Sequence, residues 1–373
     1  MAATTAPMDP PEPRGDRIER ITDIAINGFL WAFRIVVILV VVVGSILTLA
    51  SGRYGSDNWI SFIREGATLG AVYALIALGY TMVYGILRMI NFAHGEIFMI
   101  GAFGGYFTAV ALQNLGILNA SALLSLLSVV LMMAVAAVVA IIVILVIERV
   151  AYRPLRNAPR LVPLISAIGA SFFLQYTVRG LFGDGVYNYP TITAFEQPID
   201  FLGLGFLQLK WVDVLVIGSA IVMMTGLYLF VQRTKLGTAI RAVSEDKATA
   251  ALMGINVNRA IVMTFVLGAA MAGAAGVLYG MLFRQIFFLS GFLPGIKAFT
   301  AAVLGGIGNI PGAMLGGFLL GEIESIGPTL FLDGLGVPAA TQLHDAIAFT
   351  MLVFILVFRP QGLLGERVAR QRA

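Results

Sequence analysis

Residues 122–147 read ALLSLLSVVLMMAVAAVVAIIVILVI, without one charged side chain. A helix that crosses a bilayer needs about 20 predominantly apolar residues, and this run exceeds that length. A helix that is apolar on every face has no solvent side, so it lies in a protein interior or in lipid. The run Phe29–Ala50 is also long enough, with Arg34 as its one charged side chain. Hydropathy windows of about 19 residues place further helices near 59–87, 90–113, 161–182, 211–231, 259–283 and 342–358. The stretch 294–331 is too long for one crossing. The string Gly305-Gly306-Ile307-Gly308-Asn309-Ile310-Pro311-Gly312 divides it in two. The expected fold is all-α: a polytopic transmembrane helix bundle of about 9–10 membrane segments, half-helices among them.

Composition agrees with the spans and removes several function classes. The chain of 373 residues is 59% hydrophobic and 12% charged, where a soluble domain carries about 25% charged residues. Its 42 glycines suit helices that pack closely in lipid. Cysteine is absent, which excludes disulfides and thiolate metal sites. His94 and His344 are the only histidines, too few for a His-based metal site. The net charge of +4 belongs to loops and does not point to nucleic acid. There is no G-x-x-x-x-G-K-[ST], no G-x-S-x-G and no H-E-x-x-H. The chain is therefore not read as an enzyme, and no catalytic residue, metal or cofactor is assigned to it.

Residues 1–28 are polar, with Pro7, Pro10, Pro11 and Pro13 followed by Arg14, Arg17 and Arg20. They read as a disordered tail before a retained helix at 29–50, because that apolar run is too long for a signal peptide and lacks a small-residue cleavage site. Basic residues mark the cytoplasmic side. With the N-terminus inside and the spans alternating, only Arg53, Arg64, Arg179, Lys210, Arg284 and Lys297 of the 24 Lys and Arg fall outside. Both termini, including the basic tail 359–373, are then cytoplasmic. Two connections are long: an outer loop 183–210, rich in Tyr, Pro, Gly and acids, and an inner segment 232–258.

Three places could carry function. Within the inner segment, Ser244 can cap a short helix with Glu245 and Asp246 in its first turn, where the helix dipole favours acids. Gly254 suits its C-terminal stop. Ala248, Ala251 and Leu252 could enter a groove on a partner, or the segment is an ordinary surface helix. The second place is Asn91-Phe92-Ala93-His94-Gly95-Glu96, where ionisable groups follow an apolar helix. Buried charge in a membrane is costly and marks pathways or partners. A helix break there exposes N–H groups to an anionic substrate group such as a carboxylate; the alternative is a turn in contact with water. The third place is Gly305–Gly312, either an irregular segment on a transport path or a tight turn with Gly used for packing. Asn91…Gly95…Gly101 and Asn309…Gly312…Gly316 share a pattern that suggests an internal repeat. Glu322 and Glu324 either line a polar cavity or pair with another helix. Glu148, beside Arg149, reads as an interfacial anchor.

Longer strings then carry a resemblance. GATLGAVYALIALGYTMVYG at 66–85, MINFAHGE at 89–96, ERVAYRP at 148–154, LISAIG at 164–169, Leu174-Gln175, and GIKAFTAAVLGGIGNIPGA at 295–313 closely resemble the branched-chain amino acid permease of the high-affinity Leu/Ile/Val ABC importer. The likeness covers roughly residues 60–365. It implies a permease domain over 59–358 and an extra first helix. It also implies that 238–255 is the coupling segment that docks on the ATPase subunit, with Arg241, Glu245, Asp246, Ala250 and Gly254 as its candidate residues. The implied partners are a second homologous permease chain, two ATP-binding subunits that hold the ATP and Mg, and an extracytoplasmic substrate-binding protein for which 183–210 is a docking candidate. The implied location is the bacterial inner membrane. Asn91, His94, Gly95, Glu96, Gly305, Gly306, Gly308 and Asn309 become candidates for the translocation path. A urea or short-amide permease is the nearest alternative. A stand-alone secondary transporter, with Glu322, Glu324 or Glu96 as ion ligands, is an alternative of another class.

Overall fold

The computed structural model describes residues 14–156, 158, 159, 161–200 and 208–365. Its helices are α1 (Arg14–Ala50), α2 (Ser56–Leu87), α3 (His94–Asn114), α4 (Ala122–Ile147), α5 (Leu161–Phe182), α6 (Trp211–Arg233), α7 (Lys235–Glu245), α8 (Lys247–Leu252), α9 (Val257–Phe283), α10 (Phe292–Gly305), α11 (Ile310–Gly327) and α12 (His344–Phe358). Four short strands accompany them: β1 (Tyr187–Asn188), β2 (Pro198–Asp200), β3 (Gln208–Lys210) and β4 (Gln285–Ile286). Among the described residues nine helices are long and apolar enough to cross a membrane, and α10 is a shorter apolar helix. These are the expected ten segments, with α10 as the half-helix.

Some boundaries moved. The first helix begins at Arg14, so residues 14–28, read as tail, are helical; residues 1–13 and 366–373 of the two tails lie outside the described residues. α3 begins at His94 and not near 90, because the chain turns first. Arg88 closes α2 in the left-handed region at φ 54, and the His94 N–H bonds back to the Asn91 carbonyl at 3.0 Å. α4 runs on through a wide turn at Glu148–Tyr152 and a tight one at Arg153–Leu155. Lys297, counted among the outer-side charges, lies buried inside α10.

The chain forms two compact units, Met1–Arg53 with Pro328–Thr341, and Tyr54–Gly327 with Gln342–Ala373. In the first, α1 is tied to the 328–341 segment. The Gly334 N–H donates to Thr48 Oγ1 at 2.8 Å, and Arg53 pairs with Asp333 at 2.8 Å.

In the second unit α2 is buried almost throughout its second half. Small residues make that possible. Gly66 and Gly70 on α2 meet Gly317 and Gly321 on α11, so two Gly-x-x-x-Gly faces interlock. A Cβ added at Gly317 would lie 2.4 Å from the Ala74 Cα, and one at Gly321 would lie 2.4 Å from the Gly70 Cα. In lipid there is little hydrophobic gain from helix pairing, so such close backbone approach supplies much of the attraction. Gly101 and Gly276 let α3 approach α9 in the same way. We expect Gly317→Val to force α2 and α11 apart at an overpacking cost of about 1–3 kcal/mol. The thermal midpoint of the purified protein in detergent should fall, while Gly226→Val, whose Cβ meets nothing within 4 Å, should leave it in place. Equal midpoints for the two variants would contradict this packing.

Candidate functional site

The inner segment folds as an elbow of two helices, not one. Thr234 caps α7, its Oγ1 accepting from the Gly237 N–H at 3.0 Å. Asp246 is both the end of α7 and the cap of α8. Its Oδ1 accepts from the N–H groups of Ala248 at 2.7 Å and Thr249 at 3.1 Å, and the Thr249 hydroxyl donates to Oδ2 at 2.9 Å. The expected Ser244 cap is absent, since Ser244 lies inside α7 and donates to the Arg241 carbonyl at 2.7 Å. A carboxylate that faces free helix N–H groups satisfies them better than a hydroxyl two residues too early. Gly254 ends the elbow at φ 82.

Ile240, Val243 and Ala250 are buried and seat the elbow on the bundle. Arg241, Glu245, Ala248 and Ala251 are exposed. At the tip Leu252 is 87% and Met253 77% exposed. Partial burial, with Arg156 and Arg88 nearby, holds the Lys247 ammonium below its usual range. The elbow therefore sits at the bundle end that carries Arg88 and Arg156, three charges assigned to one side by the positive-inside count.

The three Asp246 bonds hold its carboxyl below the ordinary carboxylate range, the Thr249 N–H contributing most. A carboxyl depressed by folding stabilises above its unfolded pKa, and that support is lost as pH falls through its folded value. We expect Asp246→Ala to speed amide hydrogen exchange at Ala248 and Thr249, and acidification of the wild type below the carboxylate range to do the same. Unchanged exchange at both amides would refute the cap.

The second place lies inside the bundle. Asn91, His94 and Glu96 are all buried, so the turn does not meet water. Tyr152 donates to Asn91 Oδ1 at 2.6 Å. His94 is wedged where α2 and α9 cross: a Cβ at Gly79 would lie 2.0 Å from its Nε2, and one at Gly268 3.6 Å from its Cε1. Glu96 reaches α5, where Gln175 Nε2 donates to its Oε1 at 2.6 Å and the Ser171 hydroxyl at 3.2 Å. Glu96 and Gly95 line a partly open cavity of about 200 Å³, together with Tyr80, Phe92, Phe172 and the first turn of α10. One water needs only about 10–15 Å³, so a small solute fits. Gly95 has no room for a side chain, because a Cβ would lie 2.5 Å from the Gly291 carbonyl oxygen. Of the first group of path candidates, Gly95 and Glu96 line this cavity; Asn91 and His94 hold the surrounding helices. Sequence reasoning missed Ser171 and Gln175 as partners of Glu96. Their i, i+4 spacing on an otherwise apolar helix was the available signal.

Gly305, Gly306, Gly308 and Asn309 lie apart from this cavity, at the far end of α10. That helix has 14 residues, or about 20 Å at 1.5 Å per residue. Gly306 and Gly308 take positive φ of 107 and 99. Asn309 Oδ1 accepts from the Gly312 N–H at 2.9 Å, and its Nδ2 donates to the Leu364 carbonyl at 2.9 Å. A Cβ at Gly305 would lie 1.9 Å from the Gly312 carbonyl oxygen. The segment is thus a tight turn pinned by the C-terminal strand of chain. Asn309 caps a helix here, which Asn91 does not, so the two halves of the suggested repeat differ locally.

Glu324 pairs with another helix. Lys297 Nζ lies 2.5 Å from Glu324 Oε1 and 2.5 Å from Asp345 Oδ1, and the Tyr73 hydroxyl donates to Glu324 at 3.2 Å. Oxygen and nitrogen atoms of Glu324, His344 and Asp345 lie within 4.8 Å of one another, but the Lys297 ammonium already supplies the positive charge there. Glu148, read as an interfacial anchor, is buried and pairs with Arg156.

Comparison with known proteins places these features in a family. Residues 62–356 match the family model described as branched-chain amino acid transport system, permease component. The high-affinity branched-chain amino acid transport system permease protein BraD of Pseudomonas aeruginosa is 46% identical over 309 residues, covering 83% of this chain and 96% of its own. LivH of Escherichia coli K12, which carries the same description, is 40% identical over 314 residues, covering 83% and 98%. A probable LivH of Methanocaldococcus jannaschii is 29% identical over 309 residues, covering 81% and 92%. No solved structure matches.

Proposed function

Because the chain belongs to the branched-chain amino acid transport system permease family, we propose that it is the transmembrane permease subunit of an ABC importer that moves leucine, isoleucine and valine inward. The observation that carries this reading is the α7–α8 elbow. It is held at its bend by Asp246, seated through Ile240, Val243 and Ala250, and ends in an exposed apolar tip. A rigid helix that offers Leu252 and Met253 beyond the bundle suits insertion into a groove on another protein. A transporter that works alone leaves this elbow unexplained.

In this reading two ATP-binding subunits hold ATP and Mg and receive the elbow. A second homologous permease chain completes the path. An extracytoplasmic binding protein delivers the substrate to the opposite face. There the loop after α5 is organised by β1 pairing with β4, by the Arg284–Glu196 ion pair, and by Asn119, which accepts from the Thr193 N–H at 2.9 Å. Both termini and the elbow face the cytoplasm, and the membrane is the bacterial inner membrane. ATP binding and hydrolysis move the elbows, and the helices rock about a central path. Each ligand shifts that equilibrium only by its differential affinity for the two states, so tight binding by the permease is not required.

Competition is the test. Uptake of labelled leucine by cells that express the complete system should be displaced by unlabelled isoleucine and valine, and not by urea or acetamide. Displacement by urea would move the reading to urea and short amides.

A further inference from the structure

We propose that Oε2 of Glu96 receives the α-ammonium group of the amino acid in transit. This rests on the reading of the chain as an amino acid permease, and it concerns the cavity beside α3, α5 and α10.

The argument starts from charge. Among the described residues four acids are buried: Glu96, Glu148, Asp213 and Glu324. Glu148 pairs with Arg156, Asp213 with Arg64 at 3.6 Å and Glu324 with Lys297 at 2.5 Å. Glu96, only 1% exposed, has no basic partner among the described residues. A carboxylate left without a cation in an apolar interior is costly, and such groups in membranes mark a ligand or a pathway.

Geometry gives the missing partner a place. Ser171 and Gln175 fix Oε1. Oε2 has no hydrogen-bond partner. It lies by Gly291, where an added Cβ would approach it to 2.9 Å. Gly291 and Glu96 both line the cavity of about 200 Å³. That oxygen is itself covered, with almost no accessible surface, so the wall beside Gly291 must give way for a cation to reach it.

The walls indicate which cation fits. Besides the acid, the cavity presents Phe92, Ile168, Phe172, Phe292 and Ile296. A metal ion such as Ca²⁺ needs about 6–8 oxygen ligands, which these walls do not supply. An ammonium needs few acceptors and brings three donors. The apolar walls suit an aliphatic side chain next to it. The start of α10 turns the positive end of a helix dipole toward the same space, which favours a carboxylate. A zwitterion with a branched aliphatic side chain meets all three features. Neutral urea would leave the Glu96 charge unpaired.

The experiment uses the reconstituted transporter with its binding protein. Glu96→Gln keeps the shape and removes the charge. We expect it to lower leucine uptake at least about tenfold, while the variant still assembles with its ATPase subunits as the wild type does. Uptake within about twofold of wild type would overturn the proposal. Should Glu96→Gln fail to assemble, carbodiimide labelling of wild-type Glu96, read by peptide mass spectrometry, decides instead. Leucine should slow the labelling, and 4-methylpentanoate, the same skeleton without the ammonium, should not. Equal protection by both, or by neither, would overturn it. A wild-type transporter that takes up urea and not leucine would sink the permease reading itself, a different result from any of these.

Discussion

Lys297→Met should destabilise the protein more than any other single change considered. Its ammonium lies 2.5 Å from both Glu324 and Asp345. Both Lys297 and Glu324 are almost wholly buried. Removing one partner of a buried pair leaves an uncompensated charge and costs about 3–5 kcal/mol. The pair also ties α10 to α11, and the second acid ties both to α12. We expect a large fall in the thermal midpoint in detergent, with poor recovery of folded protein. Lys297→Met combined with Glu324→Met should regain much of the loss, because a buried pair replaced by apolar residues of similar volume is often neutral. A single variant as stable as the wild type would refute this account of the pair.

Leu252→Asp should abolish energy coupling while it leaves the fold alone. Leu252 is 87% exposed. Its burial in a partner's groove would contribute about 1.5–3 kcal/mol of transfer free energy. A carboxylate in that groove reverses the gain and adds a desolvation penalty. The expected result is loss of bound ATPase subunits with an unchanged thermal midpoint. Arg241→Ala, an exposed charge on the neighbouring helix, should weaken the association less. Normal ATPase association with Leu252→Asp would mean that the tip of the elbow is not the docking element.

The membrane spans were legible in the sequence because hydropathy is a sum over about 20 residues and tolerates local error. Charges inside helices were less so. Lys297 counts as an outer-side charge in any tally of basic side chains, since its partners Glu324 and Asp345 are supplied by later helices. The site around Glu96 was half legible. The polar string 91–96 announced itself against apolar neighbours, but Ser171 and Gln175 became its partners only through the crossing of α3 and α5. The elbow was placed correctly in the chain and misread in detail. Ser244 and Asp246 both suit a helix cap, and only the bend between α7 and α8 selects Asp246. At 305–312 the sequence offered a path or a packing turn, and the close approach of Gly305 to Gly312 shows glycine used there for packing.

The most direct test of the importer reading is purification of the tagged chain, co-expressed with its neighbouring transport subunits, in mild detergent, with ATP hydrolysis assayed on the product. The account predicts that ATPase subunits co-purify with the wild type and are lost with Leu252→Asp. A chain that purifies alone, folded and without ATPase activity, would contradict it and make a stand-alone transporter the better description.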